Sequence, residues 1–370
     1  MAEAGSTRRE RKSDAARLLL AAARERFAVA ATDLLLPEQS RLTEWQRLTA
    51  ASLLTRLVAS IEDQLRAALA EHFSDREALH AALSSAHVAI ALPILERASV
   101  LRDQELGTIL VRRVEEHRFW KAYSSGSGED RAAGNEYLLE LIGDADPDVA
   151  AEAMDLVTAR SRRFDRFQEP VMGRVELPAD LQHRLVWLVA AALRHYIVQQ
   201  HGVAAVDAAI EQAASALLTS YDEGEGFEVR AMRLARRLVR SGRLGGAILA
   251  RILDEGSLPL FIAGAAALAG LDYAAAWEVL SDPRGRGPAL LLRAAGIGRS
   301  DAAAILLLLN SHGRLFSGAE GDAAEEQLEL YDGVDEDAAR DVLKLWQADP
   351  GYRASVARLS TRSRPPAEAA

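Results

Sequence analysis

The chain lacks cysteine and has few aromatic residues, and both shortages narrow the possible folds and chemistries. Without cysteine there is no disulfide framework, no thiolate nucleophile and no cysteine-ligated metal. Aromatic residues are only 5% of the 370 residues, so the residue types that favour strands are scarce. Alanine, leucine and arginine, all good helix formers, are abundant instead. The composition therefore predicts an all-α protein.

Long hydrophobic runs are also missing. The longest, Leu258–Leu271, covers about 14 residues, whereas a membrane-spanning helix needs about 20. The basic N-terminus leads into an amphipathic pattern and lacks the apolar centre of a secretory signal. We therefore expect a buried core helix at Leu258–Leu271, no membrane span and a cytoplasmic location.

The usual signatures of chemistry are absent as well. There is no HExxH pattern, no Walker A loop and no dinucleotide-binding fingerprint in its strand context. We accordingly assign no catalytic residue, no metal site and no cofactor. The net charge of -10 disfavours a general nucleic-acid binder, because such proteins gain affinity by neutralising phosphates.

The sequence does contain, between short amphipathic segments, repeated combinations of residues that end one helix and begin the next. In LLELIGDADPDVAAEAMDLVTAR, residues 138–160, Gly143 can end one helix in a left-handed conformation. Asp144 or Asp146 can cap the next helix, and Pro147 suits its first position. This stretch predicts a tight turn between two antiparallel helices.

The same pattern recurs downstream and predicts the fold class. Glycines follow apolar helical segments, and N-cap residues precede the next ones. The glycines are Gly242, Gly256, Gly270 and Gly296, and the N-caps are Ser257, Asp272 and Ser300. Connections this short favour antiparallel neighbours. We expect an all-α fold of HEAT-like antiparallel helix pairs stacked as an α-solenoid, with an irregular helical bundle as the alternative.

Composition shifts divide the chain into five predicted regions. They are an N-terminal helical region at 1–74, HEAT-like repeats at 75–170, C-terminal helical repeats at 175–316, an acidic segment with a terminal helix at 318–352, and a disordered tail at 353–370. The Ser/Gly-rich stretch Tyr123–Asn135 predicts a loop. The acidic stretch Gly318–Asp337 is expected to be partly flexible.

Three stretches resemble one family. They are HVAIALPILERASVLRDQELGTIL (87–110), VELPADLQHRLVWLVAAALRHYI (175–197) and the stretch 237–297 that contains RLVRSGRLGGAILARILDEG. The family is helical, is found mainly in alphaproteobacteria and is known only as a domain of unknown function. The resemblance covers about residues 75–310, and its most specific blocks are Ile94–Leu106 and Arg293–Gly296. It implies an all-α, HEAT-like arrangement and no catalytic residues.

One segment, FEVRAMRLARRLVRSGR (227–243), stands out as a candidate site. Apolar residues occupy one arc of its helical wheel, and the opposite arc carries five arginines that have no acidic partner three or four residues away. The arginines are Arg230, Arg233, Arg236, Arg237 and Arg240. Such a row suits carboxylates or phosphates. Such a row is more often a solvated helix face, or one that pairs with acids elsewhere in the fold, for example in 320–337.

The sequence therefore predicts a helical-repeat protein that binds another protein, as a scaffold or regulator, with this arc as the partner-binding surface. Two alternatives stay open. One is a nucleic-acid-binding helical repeat that uses the same arginines. The other is a small-ligand sensor or an enzyme whose site is assembled from distant helices.

Overall fold

The computed structural model describes residues 42–85, 88–126, 136–282, 285–311 and 323–349, together with Tyr352, Arg353 and Val356. Within these residues the chain forms sixteen α-helices and no strand. The all-α prediction is therefore confirmed for this part of the chain.

The helices are short apart from three. The first eight are α1 Glu44–His72, α2 Glu77–Ser84, α3 Ala91–Arg97, α4 Gln104–Gly126, α5 Glu136–Ile142, α6 Pro147–Ser161, α7 Ala179–His201 and α8 Asp207–Thr219. The next eight are α9 Phe227–Arg240, α10 Gly246–Asp254, α11 Leu258–Ala269, α12 Tyr273–Leu280, α13 Gly287–Ala294, α14 Arg299–Ser311, α15 Ala323–Gly333 and α16 Glu336–Leu343. Short 3-10 turns follow at Arg174–Glu176, Glu223–Glu225 and Lys344–Gln347.

Contacts between Cα atoms divide the chain into two units. The N-terminal unit comprises 43–114 and 158–229. Among the described residues, the C-terminal unit comprises Leu42, 115–126, 136–157 and the residues described from Arg230 onward. The division falls inside α4, α6 and α9.

The N-terminal unit is organised around α1, which packs against α2, α3, α7 and α8. Thr43 begins α1 with a capping box, because its side chain accepts from the Gln46 backbone N–H while the Gln46 side chain accepts from the Thr43 N–H. Leucines and an isoleucine at i, i+4, i+8, i+12 and i+16 then give α1 a stripe that is almost completely buried. The stripe is Leu53, Leu57, Ile61, Leu65 and Leu69.

A buried ion pair also belongs to this core. Glu62 and Arg66 of α1 lie 3.1 Å apart, and both side chains are almost fully buried. The Arg66 guanidinium donates to the carbonyls of Ala82, Leu83, Ser85 and Val88. The Glu62 carboxylate accepts from the N–H groups of two further residues, Ile90 at 2.9 Å and Ala91 at 2.8 Å. These bonds satisfy both charges and fix the chain that runs from α2 into α3.

The C-terminal unit is organised around apolar helices. The predicted core helix at Leu258–Leu271 is α11, Leu258–Ala269, with most of its side chains buried. Helix α13 packs against α11, α12, α14, α15 and α16. The approach to α12 is very close, since a Cβ at Gly287 would lie 1.7 Å from the Val279 carbonyl oxygen. Only glycine therefore fits this position without displacing backbone.

No single helix among the described residues has both the length and the apolar character needed to cross a bilayer. Helices α11 and α12 meet the criterion only when they are taken together, and they are bent by 103° at the break between them.

Several local predictions are confirmed. Helices α5 and α6 meet at the predicted turn, and Pro147 is the first residue of α6. The Asp146 side chain accepts from the Asp148 N–H at 3.0 Å, as expected of a cap. Asp272 caps α12 through the Ala275 N–H. Four of the five glycines predicted to end helices, Gly242, Gly256, Gly270 and Gly296, have positive φ, between 68° and 74°.

Other local predictions were wrong. Gly143 is not among the positive-φ residues, and the turn there is closed by hydrogen bonds from the Gly143 and Asp144 N–H groups to the Glu140 and Leu141 carbonyls. Helix α14 begins at Arg299, so Ser300 lies inside it and is not its N-cap.

Two predicted irregular regions are more helical than expected. The predicted loop Tyr123–Asn135 starts too early, because α4 continues to Gly126. The acidic stretch Gly318–Asp337 contains α15 and the start of α16, which pack against α13. Their buried apolar side chains, including Tyr331 and Ala339, outweigh the charge of the segment. Nearly all of the predicted tail 353–370 lies outside the described residues.

Candidate functional site: an arginine surface on α9

The arginine segment forms helix α9, and its apolar arc is buried as predicted. Ala231, Leu234, Ala235 and Leu238 of α9 are fully buried. The five arginines follow the opposite arc, where burial is partial or absent. From Arg230 onward this helix belongs to the C-terminal unit, as does most of α6.

Two of the five arginines are neutralised by acids of α6. Arg237 donates from Nη1 to Asp148 at 2.8 Å and from Nη2 to Glu152 at 2.9 Å. Arg230 lies 3.7 Å from Asp155. The Glu152 hydrogen bond, more than any other contact, raises the pKa of Arg237. The prediction that these arginines pair with acids elsewhere in the fold is therefore correct for Arg230 and Arg237, although the acids belong to α6 and not to 320–337.

The ion pairs fix α6 and α9 as antiparallel neighbours. Asp148 and Glu152 near the start of α6 meet Arg237 near the end of α9, while Asp155 further along α6 meets Arg230 near the start of α9. We call this set the ion-pair row.

Further ion pairs continue in the same direction. Arg243, which follows α9, bonds to Asp144, and Arg251 of α10 bonds to Glu140 at 2.6 and 2.9 Å. The hydrogen bond from Arg243 lowers the pKa of Asp144, and the one from Arg251 lowers that of Glu140. Asp144 and Glu140 are thus held in the charged form that their arginines require.

The other three arginines, Arg233, Arg236 and Arg240, are exposed. We call them the arginine triplet. Among the described residues none of the three has a carboxylate within ion-pair distance, and Arg240 only donates to the Arg236 carbonyl at 3.3 Å. Arg233 and Arg240 are seven residues apart and therefore lie on one line along the helix, about 10 Å from each other. The triplet is thus a row of three positive charges that no carboxylate of the described residues compensates.

Helix α6 extends this surface on the far side of the ion-pair row. On a helical wheel, Ala151 and Met154 lie opposite the buried face of α6, just as the triplet lies opposite the buried face of α9. Met154 is 48% exposed. A partner that covers both helices would therefore meet positive charge on α9 and an apolar side chain on α6.

The sequence analysis identified the five arginines but not the acids of α6 that pair with two of them. Asp148 lies in the first turn of α6. Its repeat with Glu152 and Asp155, at i, i+4 and i+7, is the signal that was available. That spacing matches the seven-residue separation of Arg230 and Arg237.

Among the described residues no three histidine, aspartate or glutamate side chains are arranged to hold a metal ion. A cleft in the N-terminal unit has a volume of about 170 Å³ and is lined by Leu48, Thr49, Ser52, Arg56, Glu169 and Pro170. It does not include any of the predicted site residues.

In its described residues the chain is all-helical and carries a charged face on one helix. No cluster of reactive side chains is found among these residues. The chain belongs to a family of uncharacterised proteins conserved in bacteria, DUF2336, whose model matches residues 131–344. No curated protein and no solved structure matches the chain.

The match bears on the predicted resemblance to a family of unknown function. The matched range contains the arginine triplet and the block Arg293–Gly296. The block Ile94–Leu106 lies before it, so that part of the resemblance is not supported by the match. The match also extends beyond 310, through α15 and the whole of α16.

Proposed function

We propose that the protein binds an acidic segment of another protein through the arginine triplet of α9. The observation that supports this is the sorting of the five arginines. Two are bonded to α6 acids and hold the two helices together, while three point outward without a carboxylate among the described residues. Guanidinium groups recognise carboxylates through paired hydrogen bonds, so a row of three suits an acidic peptide.

The second candidate is a nucleic acid bound by the same arginines. Three arginines are few for this purpose, because DNA-binding proteins typically make roughly 6–10 phosphate contacts. The net charge of -10 also opposes approach to a polyanion. An acidic protein segment needs fewer contacts and is the better fit.

A small-ligand sensor or an enzyme is the third candidate. The cleft of about 170 Å³ in the N-terminal unit is smaller than the roughly 300–1,000 Å³ of usual ligand sites. We therefore propose neither a catalytic residue nor a cofactor. A cytoplasmic location and a role as scaffold or regulator remain parts of the proposal.

We also infer that the C-terminal unit is closer to an irregular bundle than to stacked HEAT-like pairs. The sequential packing of α10, α11, α12 and α13 supports stacked pairs locally. However, a solenoid helix touches only its neighbours in the stack, whereas α10 also packs against α14, and α13 against α16. A solution scattering profile that requires an extended, curved rod would favour the solenoid.

The test uses defined probes and two triple variants of the full chain. The first is Arg233→Glu, Arg236→Glu and Arg240→Glu. The control reverses three other exposed arginines, Arg76, Arg97 and Arg102, and so gives the same net charge. Fluorescence anisotropy measures the binding of a labelled decaglutamate peptide and of a labelled DNA duplex at physiological salt.

We expect the peptide to bind, and the first variant to weaken it at least about 10-fold, or about 1.4 kcal/mol, while the control changes it little. Equal losses in both variants would show that overall charge, and not this surface, drives binding. Tighter binding of the duplex than of the peptide would favour the nucleic-acid candidate. The same pair of variants can then be used to identify the partner by affinity capture from the native host.

A further inference from the structure

A hairpin-like loop in the N-terminal unit presents an aromatic side chain to solvent. It runs from Arg163 to Val171 and is closed by an isolated bridge between Phe164 and Pro170. Phe167 at its tip is 69% exposed, more than any other large apolar side chain among the described residues. Exposing a whole aromatic ring leaves its burial free energy unused, so a contact that covers it would be favourable.

The loop is held in one conformation by its own hydrogen bonds. The Asp165 side chain accepts from the N–H groups of Phe167 at 2.8 Å and Glu169 at 3.0 Å. Its other oxygen accepts from Arg56 of α1 at 2.9 Å. Gln168 adopts a left-handed conformation with φ of 62°, which turns the chain back. Phe167 is therefore presented by an ordered tip, and little conformational entropy is lost when it binds.

The cleft of the N-terminal unit lies beside this loop. Glu169 and Pro170 of the loop form one wall, and residues of the first turns of α1 form the other, including Leu48, which is 62% exposed. Its volume of about 170 Å³ compares with the roughly 150 Å³ that is enough to hold a benzene molecule. One phenyl ring therefore fits the cleft.

The charges next to the ring and in the cleft are complementary. The Arg166 guanidinium stacks over the Phe167 ring, 4.6 Å from its centre, so it accompanies the ring wherever the ring inserts. Glu169 lines the cleft, and among the described residues it forms no ion pair. The Arg56 cation in the cleft wall is already bonded to Asp165. A ring entering the cleft would bring Arg166 to Glu169.

We propose that two copies of this chain associate about a two-fold axis through this surface, with Phe167 of each copy seated in the cleft of the other. The same loop carries the Phe167 ring with the Arg166 cation, and it also forms the cleft wall that carries the Glu169 anion. The surface is thus complementary to itself, as a two-fold interface requires. The contact buries two rings and forms two Arg166–Glu169 ion pairs. This inference is independent of the arginine triplet on α9.

The test measures the mass of the full chain by sedimentation velocity from about 1 µM to about 100 µM, a range that covers micromolar dissociation constants. The wild type is expected to shift with concentration from 40.0 kDa to twice that mass. Phe167→Ala is expected to weaken the dimer at least about 10-fold. Leu307→Ala, which removes an equally exposed apolar side chain of the C-terminal unit, is the matched control and should leave the dimer intact.

Charge exchange separates this interface from any other. Arg166→Glu alone and Glu169→Arg alone each place like charges opposite one another in a homodimer, so each is expected to be monomeric. An equimolar mixture of the two restores both ion pairs and is expected to dimerise. A wild type that stays monomeric throughout the range overturns the proposal. So does a dimer that survives Phe167→Ala, or a mixture that does not recover.

Discussion

The two units of the protein use arginine in opposite ways. In the N-terminal unit Arg66 is buried and donates to four carbonyls and to Glu62, so its charge is fully satisfied within the fold. In the C-terminal unit the arginines of α9 lie at the surface, where two pair with α6 and three form the triplet. The comparison shows that the positive charge of an arginine does not by itself identify a binding site. What distinguishes the triplet from Arg230 and Arg237 is that no carboxylate of the described residues pairs with it.

The largest expected effect is on the buried pair of the N-terminal unit. Glu62→Ala leaves the Arg66 cation buried without its counter-ion and frees two N–H groups of α3, so we expect unfolding to become easier by about 3–5 kcal/mol. Chemical denaturation measures this change. Glu71→Ala, an exposed position on the same helix, is the control and should stay within about 0.5 kcal/mol of the wild type. Similar losses for the two variants would contradict the role assigned to the buried pair.

The next effect concerns the ion-pair row of the C-terminal unit. Arg237→Ala removes two hydrogen bonds to α6 at a partly exposed site, so we expect a loss of about 1 kcal/mol. A double-mutant cycle with Glu152→Ala isolates the interaction between the two side chains. Its coupling energy should fall when salt is raised, because the site is reached by solvent. A coupling of zero would mean that the row does not hold α6 to α9.

High pH offers a comparison between the two units through their tyrosines. Burial, and then the Glu223 carboxylate, raise the pKa of Tyr221 to about 12. Burial also raises the pKa of Tyr137 in the C-terminal unit, but Arg243 and Arg251 oppose the rise. Ultraviolet titration should therefore show a tyrosine component near pH 12 that Tyr221→Phe removes.

The sign of the effect of Tyr221 on stability follows from its raised pKa. The folded state holds the phenolic proton more tightly than the unfolded state does, so the contribution is complete below pH 10 and disappears as pH rises through about 12. Tyr221→Phe should therefore flatten the loss of stability in this interval. An unchanged slope would indicate that Tyr221 is as accessible as a free tyrosine.

The smallest effect on stability is expected for the triplet itself. Arg233→Ala removes an exposed side chain that has no carboxylate partner among the described residues, so stability should change by no more than about 0.5 kcal/mol. Thermal unfolding of Arg233→Ala beside Arg237→Ala gives a direct comparison within one helix. A loss equal to that of Arg237→Ala would place Arg233 among the structural arginines.

The sequence was sufficient for the features that depend on neighbouring residues. Pro147 and Asp146 mark the start of α6, and Asp272 marks the start of α12, because caps act within one turn. The helical wheel of α9 separated buried from exposed residues correctly. At Gly143 and Ser300 the predictions were wrong, because the local pattern does not fix the exact residue at which a helix begins or ends.

The features that depend on distant residues could not be predicted. Nothing in the local pattern of Arg66 indicates that it bonds to carbonyls 16 to 22 residues away. The sorting of the arginines depends on α6 facing α9, and the cleft beside Phe167 depends on α1 lying against the loop. Both require knowledge of which helices are neighbours, and helix periodicity does not contain that information.

Helix α3 depends on another helix for the hydrogen-bond acceptor at its N-terminus. It has seven residues, and Ile90 at its start offers no side-chain oxygen to the first amide groups. Glu62 of α1 supplies that oxygen from 28 residues upstream. A free peptide of this sequence would lack the carboxylate that accepts hydrogen bonds from its first N–H groups. Because that carboxylate belongs to α1, we expect α3 to form only after α1 is in place.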